Sequence, residues 1–186
     1  MIKELVKNFI IFNVMEKILT SFLIEEKSQI AKGRDLKILG LEYRFSKPIW
    51  VKGLEKEIIF KGSIDRIDSL DGVIRFVDYK TGNVTASNLS FRHWDELITD
   101  PKKSALFQVL LYAYAIKDEF KEYKVWGGVI PLKNFENNFI AASKTENSRT
   151  KTLIEMNESI FLNFEKELFT IISEIFDPNI PFVFKI

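Results

Sequence analysis

No cysteine occurs in this sequence of 186 residues, and that absence excludes disulfides, thiolate zinc sites, iron–sulfur clusters and a cysteine nucleophile in one step. Charge of one sign is missing too. The 27 basic and 26 acidic residues leave a formal net charge of +1, so no global field draws the chain onto nucleic acid or an anionic membrane, and any affinity for DNA has to be local. No uninterrupted apolar run approaches membrane-spanning length, and Lys3, Glu4, Lys7 and Asn8 break any signal-peptide core at the start. A soluble protein of a reducing cytoplasm, with no membrane contact, is the expectation. Aromatic residues, by contrast, are plentiful. Seventeen Phe, five Tyr and three Trp point to an aromatic-rich core rather than a disordered chain. The length suits one domain spanning residues 1–186.

The apolar residues Leu5, Phe9, Phe12, Met15, Leu19, Phe22 and Leu23 recur at three- and four-residue intervals, which predicts one or two amphipathic helices from Lys3 to about Ile30. The period then changes. Leu36 to Ile38, Leu41 to Phe45, Lys56 to Leu70 and Val73 to Tyr79 are β-branched and aromatic, punctuated by Gly, Pro or Asp, and read as three strands. Asp100-Pro101 opens a helix predicted to run to Phe120, with Ala105, Leu106, Val109, Ala113 and Ile116 as its buried stripe. Val125 to Leu132 reads as a further strand, and the polar segment Lys133 to Lys151 as a loop. Thr152 to Phe176 carries helical spacing and stops at Asp177-Pro178. The chain closes on Phe182-Val183-Phe184-Lys185-Ile186, an apolar end that suggests a domain cut from the C-terminal part of a longer chain.

Asp71-Gly72, between two strand-like runs, is a strong hairpin signal, because both central positions of a type I′ turn need positive φ. With those two residues as the loop, Leu70 faces Val73 and Asp65 falls directly opposite Asp78, both carboxylates on one face. A side-chain period of two puts Lys80 beside Asp78 on that face, over a floor of Ile67, Ile74 and Phe76. Two carboxylates about 5 Å apart repel by roughly 3 kcal/mol at an effective dielectric near 20. One candidate for the offset is a hard divalent cation in an oxygen-rich, incompletely caged site of the kind that suits magnesium or manganese, with Lys80 supplying further positive charge. The same register sets Asp68 against Arg75 on the other face, an ordinary cross-strand ion pair with a structural role.

Gly62-Ser63-Ile64-Asp65, Val77-Asp78-Tyr79-Lys80-Thr81 and Gln108-Val109-Leu110-Leu111-Tyr112 resemble, in order, the G-x-x-D, D-Y-K-[ST] and Q-x-x-x-Y signatures of RecB-family PD-(D/E)XK nucleases. The phrase from Gly62 to Gly82 is most similar to AddB-like proteins. The resemblance implies a restriction-endonuclease-like α/β fold, a mixed central sheet flanked by helices, and hydrolysis of phosphodiester bonds in DNA dependent on Mg2+ or Mn2+. It implies that Asp65 and Asp78 ligate the metal, helped by the main-chain carbonyl of Tyr79. Lys80 would orient or deprotonate the attacking water, and Gln108 and Tyr112 would position the phosphate or Lys80. It also implies a role as the exonuclease module of a RecB/AddB-like helicase–nuclease in double-strand break repair and recombination, partnered by a helicase domain or subunit.

The chain departs from that family in two respects. Relatives often carry an upstream His or Glu in the metal shell, but the only histidine, His93, follows the catalytic strands, leaving Glu25, Glu26 and Glu42 as acidic candidates. The cysteines that frame an iron–sulfur cluster in several relatives are absent. Lys102, Lys103, Lys144, Arg149 and Lys151 are candidate DNA contacts, and Tyr43, Trp50, His93 and Trp94 candidate stacking platforms. The competing reading is a nuclease-like fold without turnover that binds DNA or serves as a scaffold. A third reading, a metal-binding phosphatase-like enzyme on small substrates, finds no Gly-rich phosphate loop in the sequence.

Overall fold

The computed structural model describes residues 2–51, 54–133, 139–147 and 150–182. Helix α1 (Ile2–Ala31) leads into three long antiparallel strands, β1 (Leu36–Val51), β2 (Lys56–Leu70) and β3 (Val73–Lys80). A two-residue strand β4 (Ser90–Phe91) and a short helix α2 (Glu96–Thr99) precede α3 (Ser104–Ala115), which crosses over to β5 (Val125–Pro131), parallel to β3. Strands β6 (Ile140–Ala141), β7 (Ser143–Asn147) and β8 (Thr150–Leu153) follow, and α4 (Glu158–Phe176) is the last helix. The main sheet has the order β1-β2-β3-β5-β6, with β3 and β5 parallel and the other neighbours antiparallel. It is therefore the mixed sheet with flanking helices that the sequence predicts.

The hairpin between β2 and β3 forms as the turn chemistry requires. Asp71 and Gly72 have φ of 52° and 83°, and the pairs run Leu70↔Val73, Ser69↔Ile74, Asp68↔Arg75, Ile67↔Phe76 and Arg66↔Val77. β1 is continuous through Pro48, which it tolerates because it is an edge strand in need of no ladder hydrogen bond on its outer side.

On one face, α3 buries Leu106, Val109, Leu110 and Ala113 against the sheet, and α4 packs on α3 through Phe161 and Phe164, which meet Tyr114 and Phe107 edge-on. Gly127 of β5 lets α3 come this close: a Cβ there would lie 2.4 Å from Val109 Cγ1. On the other face, Ile18 and Phe22 of α1 cover Val77, Tyr79, Ile130 and Leu132.

Four expectations are corrected. α1 is one helix, but of its predicted stripe Phe9, Phe12, Met15, Leu19 and Leu23 are exposed. The face turned to the sheet carries Ile18, Phe22, Glu25, Glu26 and Gln29, where Glu26 is the partner of the buried Arg66 of β2. α3 is shorter than predicted, with 3-10 turns at Pro101–Lys103 and Lys117–Glu119, and Asp100 caps the first by accepting from Lys102 N at 3.0 Å. The polar segment read as a loop holds β6, β7 and β8, where β7 pairs with β4 and β8 in a second sheet. Residues 134–138, 148–149 and 183–186 lie outside the described residues. α4 starts at Glu158, capped by Asn157, whereas Thr152 and Leu153 belong to β8. No helix among the described residues is long and apolar enough to cross a membrane.

Candidate active site

The β2–β3 ladder ends at Arg66↔Val77, one step before Asp65 and Asp78. From there the strands are joined differently: the Tyr79 N–H, which would otherwise continue the ladder, donates to Asp65 Oδ2 at 2.8 Å. A carboxylate thus occupies the place of a main-chain carbonyl. N–H and C=O of one residue point the same way along a strand edge, so the Tyr79 carbonyl faces the same opening between β2 and β3.

β1 is irregular at the same level. Its pairs with β2 include Leu41↔Arg66 and Tyr43↔Ile64, skipping the Glu42–Asp65 position, and Glu42 there has φ of 48°. Left-handed backbone at a non-glycine residue in a strand costs about 1–3 kcal/mol and gathers at functional sites. β2 is irregular here as well: Ile64 and Ile67, three apart, are both buried in one core, an arrangement that a regular strand forbids. The Glu42 carboxylate is exposed and accepts from Ser63 Oγ at 3.3 Å.

Asp78 is almost fully buried, 3% exposed. Lys80 Nζ lies 2.8 Å from its Oδ2, so Lys80 and Asp78 share a face as predicted and the ammonium is the counter-charge of that oxygen. Burial, reinforced by the Asp65 charge, pushes the Asp78 carboxyl above its ordinary range, although Lys80 works against the rise. Lys80 Nζ donates to Gln108 Oε1 at 2.8 Å, and Gln108 Nε2 donates to the Tyr112 hydroxyl. Both ends of the amide are used, which fixes its orientation. Burial also raises the Tyr112 phenol, with the charges of Asp78, Asp65 and Glu42 adding to it, although the Gln108 bond opposes the rise. Tyr112 is held in turn by Phe45, edge-on at 6.0 Å. Phe45 lies across Gly62, where any Cβ would come within 2.6 Å of its ring. The first and third sequence motifs therefore meet through one phenylalanine.

The structure brings Asp65, Asp78, Lys80, Gln108 and Tyr112 together, with Glu42 at their edge. It does not bring Glu26, whose carboxylate pairs with Arg66 Nη1 at 2.6 Å beneath α1, while Glu25 bonds Gln29 on the same helix. Among the described residues no three acidic or imidazole side chains converge as a cage. A cation here would be held by two aspartates and a carbonyl, leaving other positions to water or substrate, a donor set of hard oxygens that fits magnesium or manganese. The buried Asp78 carboxylate, with the Asp65 charge beside it and Lys80 as its ion-pair partner, is the observation that favours such an ion.

Asp68 is fully buried and accepts from Arg75 Nε at 2.7 Å and from Arg66 Nε at 2.6 Å, so the predicted cross-strand pair is a buried cluster with an extra arginine. Sequence reasoning missed Arg66, although its position next to Asp65 on the opposite face already implied a buried guanidinium. Of the DNA-contact candidates, Lys103 donates to the carbonyls of Ser87 and Ser90 at 2.8 and 2.7 Å and is structural, Lys151 leans on Ala86 O at 3.4 Å, Lys102 is exposed, and Arg149 lies outside the described residues. Trp94 packs on Phe91 and Tyr43 bonds Glu119, while Trp50 and His93 are exposed.

A mixed sheet carries two acids and a lysine at the point where its central strands part, an arrangement suited to metal-assisted hydrolysis. The family model of the PD-(D/E)XK nuclease superfamily matches residues 11–183, and the chain belongs to that superfamily. Its members are in general nucleases that use divalent metals. No curated protein and no solved structure matches the chain.

Proposed function

We propose that this chain is a Mg2+- or Mn2+-dependent deoxyribonuclease. The observation that carries the reading is the Asp78 carboxylate, buried beside Asp65 with Lys80 Nζ 2.8 Å from its Oδ2, where burial and the Asp65 charge still push its carboxyl above the ordinary range. Asp65, Asp78 and the Tyr79 carbonyl would hold the metal, with exposed Glu42 able to reach it through water. When bound, the metal supplies Lewis acidity and lowers the pKa of water. Lys80, aimed by Gln108, holds its ammonium where an attacking water is oriented and where charge develops on the phosphoryl oxygens. Tyr112 keeps Gln108 in place.

The finer assignment rests on the three motifs: a RecB/AddB-like exonuclease module in double-strand break repair and recombination, one domain of a longer cytoplasmic chain. A net charge of +1 suits a module supplied with DNA by a helicase domain or subunit rather than one that captures it alone. The lack of a third converging acid among the described residues favours one other reading, a DNA-binding scaffold without turnover.

Cleavage of linear and circular DNA with Mg2+ or Mn2+ separates the two readings. Wild type should cleave only with metal, and Lys80→Ala should lose about 10²–10³-fold. Calorimetry should find Mn2+ bound by wild type and not by Asp78→Ala. Equal cleavage by wild type and Lys80→Ala would discard the proposed chemistry.

A further inference from the structure

Beyond Arg66↔Val77 no main-chain ladder sets the distance between β2 and β3, although the metal reading needs Asp65, Asp78 and the Tyr79 carbonyl held at fixed spacing. Tyr79 carries that constraint. Its N–H is bound to Asp65 Oδ2 at 2.8 Å, its hydroxyl accepts from Arg66 Nη1 at 3.1 Å, and its ring meets Phe22 of α1 edge-on at 5.6 Å. Arg66 follows Asp65 in the chain, so the two bonds tie consecutive residues of β2 to both ends of one tyrosine. Arg66 is 1% exposed, held by Glu26 Oε1 at 2.6 Å and Asp68 Oδ2 at 2.6 Å, with its Nη2 lacking a partner. Burial works against its charge, but Asp68, Tyr79 and Glu26 more than compensate and hold the guanidinium firmly protonated. Apolar filling of such a position is often as stable as a buried ion cluster, so strand cohesion alone gives no reason for an arginine with one unmet donor.

We propose that Arg66, anchored by Glu26 of α1, is a positioning residue for the metal site, fixing the Tyr79 main chain through the phenol on the reverse face of the sheet. Glu26 thereby acts at the metal centre from the opposite side, without touching the ion. The inference rests on the metal-centre reading of Asp65 and Asp78. It also makes α1 part of the site: contacts that shift Phe22 or Glu26 change how well the opposite face binds metal.

Calorimetric Mn2+ titration and thermal melts of the metal-free protein test this on wild type, Tyr79→Phe, Glu26→Gln and the double variant. Removing the hydroxyl, or the Glu26 charge, should weaken Mn2+ binding about tenfold, the size of effect that outer-shell partners have. The double variant should lose no more than the worse single one, because both act through one line of contacts. Mn2+ affinity unchanged in both single variants would overturn the proposal, as would melting temperatures that fall with affinity intact. If one variant fails to fold, the other decides the matter. A wild type that binds no Mn2+ would instead sink the metal-centre reading itself, and this inference with it.

Discussion

Asp68 and Asp78 are the same residue type, both at 3% exposure or less and only ten positions apart, yet the arithmetic of their surroundings runs in opposite directions. Asp68 accepts from two guanidiniums and balances their charge. Asp78 has one ion-pair contact, Lys80 Nζ at 2.8 Å from its Oδ2, and the charge of a neighbouring carboxylate, Asp65. Its folded-state pKa is raised, so it favours folding fully below the unfolded-state value near ~3.9, and that contribution is lost as pH rises through the raised folded value. At neutral pH the carboxylate therefore costs the metal-free protein stability. Asp78→Asn should raise the melting temperature of the metal-free protein at pH 7 by about 2–4 °C, if roughly 1 kcal/mol is relieved. The gain should shrink as pH falls into the carboxylate range, and Mn2+ should stabilise wild type but not the variant. Asp68→Asn should behave oppositely, losing about 3 kcal/mol or more because two buried cations lose their shared counter-charge. Melts of the two variants side by side across pH check both signs, and a fall for Asp78→Asn at pH 7 would contradict the strain assigned to it.

At the scale of elements, the site depends on how closely α3 sits on the sheet, because Gln108 reaches Lys80 from that helix. Gly127→Ala would drive a methyl against Val109 Cγ1, 2.4 Å from the added carbon, and Met156 Cε, 2.8 Å from it. The thioether end can swing aside, but the stiff β-branched valine next to Gln108 cannot. The expected cost is about 1–3 kcal/mol of stability. Cleavage should fall while Mn2+ affinity holds, since Asp65 and Asp78 stand on strands rather than on α3; a loss of both together would tie α3 to the metal end of the site. Much of this was legible in the chain. Asp71-Gly72 dictates the hairpin register, and the register brings Asp65 and Asp78 together, while Gln108 and Tyr112 share a helix face by their spacing of four. The unread parts depend on distant partners. The two-residue strands β4 and β6 are too short to show alternation and are defined by pairing with β7 and β5, and β7, which pairs with β4 and with β8, lies among polar residues that read as a loop. Glu42 takes a positive φ with no glycine to announce it, and the sheet-facing side of α1 combines Ile18 and Phe22 with Glu26, whose partner Arg66 stands forty residues on.

For the whole molecule, α1 sets the largest contrast. Its second half is tied to the sheet through Ile18, Phe22 and Glu26, whereas every residue from Val6 to Lys17 is exposed, including Phe9 at 65% and Phe12 at 66%. Apolar side chains exposed in the folded chain cannot contribute their burial energy to its stability, whatever their size. Phe9→Gln and Phe12→Gln should therefore change stability by no more than about 0.5 kcal/mol, the usual range for surface substitutions. Phe22→Ala, which removes the ring against Tyr79, should cost at least 1 kcal/mol, roughly the worth of one edge-on aromatic pair before any loss of burial. It should also weaken Mn2+ binding, because Phe22 belongs to the same support as Glu26 and Arg66. Denaturant titrations of the three variants measure the difference. If Phe9→Gln or Phe12→Gln lowered stability by several kcal/mol in dilute solution, the first half of α1 would have to be buried there, and the free-standing helix described above would be wrong.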